Sequence, residues 1–502
     1  MTRWVFVLAL LLAFPAGAQD KGKKKDEKKP ISAVPADLLK QAEEKSAAGD
    51  LDGAIDLLRK AQGAEATAGE ASLRLGRALE SKYDVDLAID AYRAAAEKVT
   101  GAAKGEALGR LAVLQASRGM AEAPASAQAA ATADPSGVWP TIALSRLRAQ
   151  EGKGDEAVEL AQKAGAAGGG PPASTALGYA QEAKGDMGAA EAAYRQALAG
   201  DPKLASATIG LARVLRRTGR AAEAEPMLKQ VIEAAPGAIE AYKESARVKM
   251  ALNRAGDAVG DASIAAAMAE NDPDAQKLAI EVKAAKALEY LAQGQPALAV
   301  QDLTTLRDQS PNVPEVRVML AKALAVQRQA DPALQELAKA TELDPKNAEA
   351  QYQLGFVNLV LKGNPAGALG PLEKAVALDP GNATYRTNLG AALVGQNQFD
   401  RAIEELGKVT ASPGYNRADA WIYLGQAYVN AKRFKEAVAA LEKATTILPN
   451  NSQAYATLGW AYFGLKDADN FKKAAGKARS LGYKEPRLLD YLKRVEAGEP
   501  IK

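Results

Sequence analysis

The side chains in this sequence that could carry chemistry are carboxylates, amines, guanidiniums and hydroxyls, because it contains neither cysteine nor histidine. That excludes thiol nucleophiles, disulfides, Cys/His zinc sites and a Ser-His-Asp triad. Carboxylates are plentiful, 61 Asp and Glu against 64 Lys and Arg, yet no pair of them stands apart from the charged outer faces of helices. There is no GxxxxGK[ST] loop and no strand leading into GxGxxG. Gly168–Gly170 is followed by Pro171 and Pro172, which offer no N–H to a phosphate. A net charge of +3 supplies no field for nucleic acid. No cofactor or metal site is expected. What remains is the chemistry of recognition: guanidiniums that hold carboxylates, and aromatic rings that bury against a partner.

The elements that would position such groups are helices. Alanines recur at 54, 88, 157, 190, 224, 258, 299, 333, 368, 402 and 437, mostly in steps of 33 to 35. The step from Ala88 to Ala157 is two periods, with Pro124 in the empty slot. A Leu-Gly pair lies upstream of many of them, as in Leu177-Gly178, Leu389-Gly390 and Leu424-Gly425, and prolines such as Pro202, Pro345 and Pro449 close the units. Within a unit, Trp421, Leu424, Gly425 and Tyr428 form one amphipathic stripe, and Phe434, Ala437, Leu441 and Ala444 form a second. Gly425 and Ala437 mark a close crossing of two antiparallel helices, where only small side chains fit. One such pair cannot bury its own stripe, so neighbouring units must stack.

This pattern resembles the tetratricopeptide repeat (TPR), a 34-residue helix–turn–helix unit with the same Trp, Leu-Gly, Tyr, Ala, Phe, Ala and Pro positions. The best copy is Ala418–Asn451, and the resemblance covers roughly residues 35–481. It implies an all-α fold: a right-handed superhelical solenoid of about thirteen repeats with a C-terminal capping helix. Its arrays are placed at 35–269 and 270–481, and a cap with tail at 482–502. Leu488, Leu489, Leu492 and Val495 would face inward from the cap. Seven extra residues around Glu270–Lys277 would either break the array or lengthen a helix. Gly168–Pro172 would be a joint or a long turn between units.

The resemblance also implies a binding wall on the concave side, made by first-helix residues opposite the packing stripe. In the middle units these are Arg146, Arg213, Arg216, Arg217, Lys243 and Arg247, a basic part expected to hold acidic segments. In the later units they are Tyr352, Phe356, Leu359, Ile422, Val429, Trp460 and Phe463, an apolar part. Sixteen of the 26 aromatics fall in residues 352–491; most occupy packing positions, but Tyr352, Phe356, Trp460 and Phe463 do not. Neither part is expected to lie on the packing stripe. The Lys/Asn set of the carboxylate-clamp TPR subtype is not reproduced, so capture of a free C-terminus is not implied.

At the N-terminus Arg3, the apolar run Val5–Phe14, Pro15 and Ala16-Gly17-Ala18 have the order of a secretory signal peptide. Cleavage is expected after Ala18; a retained anchor is the alternative. The run is too short to span a bilayer, and no later window reaches transmembrane length. Residues 19–34 are lysine-rich and are expected to form a disordered tether, either a spacer or a weak contact with anionic surfaces. The sequence therefore points to an exported, periplasmic, non-catalytic scaffold for proteins of an envelope complex, in motility, pilus, secretion or polysaccharide-export assembly. A glycan- or exopolysaccharide-binding guide is the alternative.

Overall fold

The computed structural model describes residues 35–412 and 414–501, so the expected signal and tether lie outside the described residues. Twenty-seven α-helices and one five-residue π-helical turn follow one another, with no strand among the described residues. They pack as consecutive antiparallel pairs, the last helix standing alone. Two compact units result, one of residues 35–147 with 166–168 and one of 148–165 with 169–501.

What makes each pair is a repeated stop signal. Thirteen first helices, from the one before Gly49 to the one before Lys466, end on a residue with positive φ. In the repeat Ala418–Ile447 the Arg433 N–H donates to the Tyr428 carbonyl at 2.8 Å and the Lys432 N–H to that of Val429 at 3.0 Å. These two bonds satisfy carbonyls the helix would otherwise leave orphaned and turn the chain back on itself. Lys432 holds this left-handed conformation at φ 60° without being glycine. The second helix, Phe434–Ile447, then lies against Ala418–Asn430.

The crossing is as close as the small residues suggest. A Cβ added to Gly425 would stand 2.4 Å from Leu441 Cγ, and Ala437 is fully buried. In the first unit Gly76 lies against the ring of Tyr92 in the same way, within a core that includes Leu58, Leu73, Leu79 and Ile89. In the repeat with the empty slot, Ala123 takes the buried position. Pro124 sits exposed in the first turn of Ala123–Ala133, where its missing N–H costs nothing.

The two irregularities have local solutions. The seven extra residues lengthen a helix: Pro273–Ala292 has 20 residues where the first helices on either side of it have 13. Around residue 270 the second unit is continuous, since Ala255–Met268 packs directly on Pro273–Ala292. Pro171 and Pro172 occupy the first turn of Gly170–Lys184, with Gly169 as its N-cap. The capping helix is Pro486–Glu496; Leu488, Leu492 and Val495 are buried under it, whereas Leu489 is only half-buried.

Along the edge made by the turns within repeats, a basic side chain reaches an acid in the preceding second helix. Lys184 meets Asp155, Arg220 meets Glu191, Arg254 meets Glu225 and Lys362 meets Asp331. Water and salt screen such exposed pairs, so the ladder favours the stacking register more than it stabilises the fold.

Two outcomes follow from this packing. Ala437→Arg forces a charged side chain into the crossing; overpacking alone costs about 1–3 kcal/mol. Because coupling passes mainly between neighbours, hydrogen exchange should speed up in repeats next to Ala437 and remain unchanged before residue 250. Lys432→Gly should slow exchange in the helices flanking the turn by relieving a left-handed residue, a gain of about 1 kcal/mol; faster exchange there would contradict that account.

Candidate functional site

All but one of the residues expected on the binding wall fall into one register once positions are counted from the small residue at the crossing; the exception, the exposed Arg217, stands five residues beyond Ala212. Arg213, Arg247, Phe356 and Trp460 directly follow Ala212, Ala246, Gly355 and Gly459. Arg216, Leu359, Val429 and Phe463 stand four residues beyond it, and Lys243, Tyr352 and Ile422 three before it. These offsets place them on one side of their helices. Arg146 follows Ser145 at the same offset in the first unit and is half-buried. What each side chain touches differs sharply between the middle and the C-terminal end.

In the middle, the expected basic surface is corrected to an interlocked set of ion pairs. Arg213 donates to both carboxylate oxygens of the buried Glu182, each at 2.8 Å, and Arg217 lies 3.5 Å from the same group. Arg216 donates to Glu244 at 2.6 Å, and Glu244 is 2% exposed. Arg247 reaches Asp274 at 2.6 Å. Lys243 is 4% exposed, not a solvent-facing wall residue, and meets Glu240, Asp272 and Asp274 at 2.8–3.0 Å. Five cations thus face five carboxylates, and the set carries no net charge. Burial acts to lower the pKa of Arg213, but Glu182 and Tyr194 outweigh it and hold the guanidinium charged. Burial likewise opposes the ionised forms of Lys243 and Asp274. Charged partners win: Glu240 first, then Asp274 and Asp272, raise the lysine, and Lys243 with Arg247 depresses Asp274.

One member of this set has a structural origin that the register misses. Tyr194, from the second helix, packs on Gly178 and Gly210 and donates its hydroxyl to Glu182 at 2.5 Å. The first unit repeats the arrangement: Tyr92 packs on Gly76 and donates to Glu80 at 2.5 Å, and Arg110 closes on Glu80 at 2.8 Å. Where leucine replaces this tyrosine, as at Leu406 and Leu441, the position held by Glu80 and Glu182 is Val394 and Val429. Reversing the charge of Arg213 or Arg216 would therefore strand a buried acid without its partner.

At the C-terminal end the aromatics pack on one another. Tyr352 stacks on Tyr385 with centroids 4.6 Å apart, and Phe356 lies 5.9 Å from Tyr352. Ile422 is buried with Ala418, Ala444 and Ala454, so it belongs to the core and not to the wall. Leu359 leans on the core formed around Leu372 and Leu389. It sits in a π-helical turn, Val357–Leu361, and the reason is a single extra residue. Gly355 and Ala368 are thirteen apart, where Gly390 and Ala402, or Gly425 and Ala437, are twelve apart. The Lys362 N–H accordingly bonds five residues back, to Val357 at 3.1 Å. Trp460 and Phe463 both meet Tyr491 of the capping helix, at 5.9 and 4.7 Å.

Three of the expected residues do converge. Val429, Trp460 and Phe463 line a concavity of about 470 Å³ together with Val394, Gln426, Asn430, Gln453, Thr457, Tyr483 and Arg487. Phe434 closes its floor against Gly464, where a Cβ would stand 2.3 Å from the ring. Val394 was legible as the same offset in the unit of Gly390; Arg487, over the Trp460 ring at 5.4 Å, was not, because it comes from the cap.

Tetratricopeptide repeat profiles match residues 39–105, 182–244, 290–354, 359–413 and 387–452, together more than half of the chain. The chain belongs to the TPR superfamily. It is 26% identical over 341 residues to cellulose synthase operon protein C of Pseudomonas fluorescens (strain SBW25), covering 65% of this chain and 26% of that protein. The chain thus spans about a quarter of that relative's length. Among solved structures it is similar to the APC/C hetero-tetramer Cut9-Hcn1, at 14% identity over 93% of this chain and 97% of that one, TM-score 0.44. It is also similar to PilW, a type IV pilus biogenesis factor, at 18% identity over 42% and 98%, TM-score 0.38.

Among the described residues of this TPR protein, no three acidic side chains gather as a metal site, and no helix is long and apolar enough to cross a membrane. The middle of the array makes a direct prediction. Glu182→Val removes the acceptor of both Tyr194 and Arg213 and should destabilise that repeat by about 2–3 kcal/mol. Adding Tyr194→Leu reproduces the pairing of Val429 with Leu441 and should recover part of the loss. Hydrogen exchange of Gly170–Lys184 measures both, and a double variant no better than the single would refute the coupling.

Proposed function

We propose that this TPR protein is a non-catalytic adaptor of a cell-envelope complex, one that assembles or exports a polysaccharide. TPR arrays act as protein-interaction scaffolds, and the observation that carries the reading here is the groove of Val429, Trp460 and Phe463. It presents apolar side chains from successive repeats in one line, next to polar groups that can fix orientation. The neutral ion-pair set around Glu182 and Glu244 is assigned to holding the middle repeats in register, and Arg213, Arg216, Arg217, Lys243 and Arg247 serve partners only indirectly. The envelope placement rests on the export signal Arg3–Ala18. The choice of polysaccharide machinery over motility, pilus or secretion rests on the relative's name, cellulose synthase operon protein C.

A guide that binds the glycan itself is the second reading. It is favoured by Trp460 lying beside the amides Gln426, Asn430 and Gln453, since aromatic faces and amides suit sugar rings. Cross-linking of the full chain in its native host, followed by capture, separates the two. A reproducible set of envelope proteins that is lost with Val429→Asp and Phe463→Ala supports the adaptor. Retention on insoluble polysaccharide in the absence of protein, lost with Trp460→Ala, would replace it with the guide.

A further inference from the structure

The groove also specifies the conformation of the segment it would take, an inference that rests on the adaptor reading. Val394, Val429 and Phe463 stand at the same offset from Gly390, Gly425 and Gly459, and all three line the one concavity. Their helices, Ala383–Gly395, Ala418–Asn430 and Ser452–Gly464, pack directly on one another. The apolar column therefore repeats at an interhelical spacing, about 8–10 Å.

A bound chain must supply apolar side chains at that interval. An extended strand places same-side residues about 7 Å apart, too short, and the residue three positions on, about 10 Å away, points to the opposite face. A polyproline II segment rises about 3.1 Å per residue with three residues per turn, so every third side chain projects alike about 9.3 Å on. An α-helix returns to one face after seven residues, about 10.5 Å on, but satisfies its own backbone. The groove instead interleaves amides with its apolar column. Asn430 already donates its Nδ2 to the Gln426 carbonyl at 2.8 Å, which leaves its side-chain oxygen free to accept. Gln426 and Gln453 add further donors and acceptors. Such amides suit a polyproline II backbone, which has no internal hydrogen bonds.

Charge marks one end. The concavity has no carboxylate in its wall, and its one cation is Arg487, which makes no ion pair among the described residues. The neighbouring acid, Glu485, is spent on the helix N-terminus, accepting from Arg487 N at 3.0 Å and Leu488 N at 2.9 Å. We propose that this groove takes a polyproline II segment of a partner protein with an apolar side chain at every third residue and an Asp or Glu where it reaches Arg487.

The test uses the full chain and fluorescently labelled peptides of about ten residues, blocked at both ends. Leucine is placed at every second or every third position of a proline-rich background, or at helical spacing in an alanine-rich one, each ending in glutamate or glutamine. The period-three peptide ending in glutamate should bind at least tenfold more tightly than the other two spacings. Arg487→Ala should erase its preference for glutamate over glutamine, and Val429→Asp and Gln426→Ala should each weaken it, with circular dichroism unchanged. Equal binding of all spacings, tightest binding of the helical series, or displacement only by a soluble β-glucan oligomer each overturns the proposal. Because the spacing series is read on the unmodified chain, misfolding of a variant cannot excuse a negative result. If the peptides fail while Val429→Asp still loses protein partners in the native host, the adaptor stands and the polyproline assignment falls.

Discussion

One close contact governs this chain: in many repeats, the first helix presents a residue with almost no side chain to a large side chain of the second. Gly76 and Gly178 face the rings of Tyr92 and Tyr194, and Gly390 and Gly425 face Leu406 and Leu441. Backbones that approach this closely cannot slide, so the spacing from small residue to second-helix alanine is held at twelve residues through most of the array. The pair still leaves an apolar stripe uncovered on its outer side, and only the next pair can cover it. Stacking is the consequence of that shortfall.

The identity of the large side chain then decides what the surface can be. A buried tyrosine brings a hydroxyl that needs a partner, since an unpaired buried polar group costs about 1–3 kcal/mol. Glu80 and Glu182 supply the acceptor, and their charge in turn requires Arg110 or Arg213 from the following repeat. That chain of requirements places the Glu80–Arg110 and Glu182–Arg213 pairs on the wall, whereas Arg216, Lys243 and Arg247 are paired in repeats without the tyrosine. A leucine at the same place requires nothing. Its repeat can put valine where the glutamate would be, as at Val394 and Val429, and leave an apolar groove open. In these repeats core composition and binding chemistry are coupled through two positions; in the repeat of Ala212, leucine at 228 coexists with Arg216 on the wall.

The insertions show the same constraint from the other direction. Seven residues amount to almost two turns of 3.6, so Pro273–Ala292 can lengthen while both ends keep their packing faces. One residue would rotate everything after it by about 100°. The extra residue before Ala368 is absorbed instead by a π-helical turn, which leaves Val360 54% exposed and tilts Leu359 toward the core.

The amino-acid order by itself determined the helical pairs, their number, the close crossing at Gly425 and Ala437, and the cap with Leu488, Leu492 and Val495. All of these follow from periods of 3.6 and 34 residues, which are local properties. It also determined the offsets that bring Val429, Trp460 and Phe463 to one side. Only the tertiary structure decided which wall residues are available. Lys243, Ile422 and the middle arginines carry the same offsets, but their exposure depends on residues some 30 positions away: Asp272 and Asp274 for the lysine, Ala454 for the isoleucine, Glu182 and Glu244 for the arginines. Helical periodicity reports the direction in which a side chain points; what it meets there is set by the neighbouring repeat.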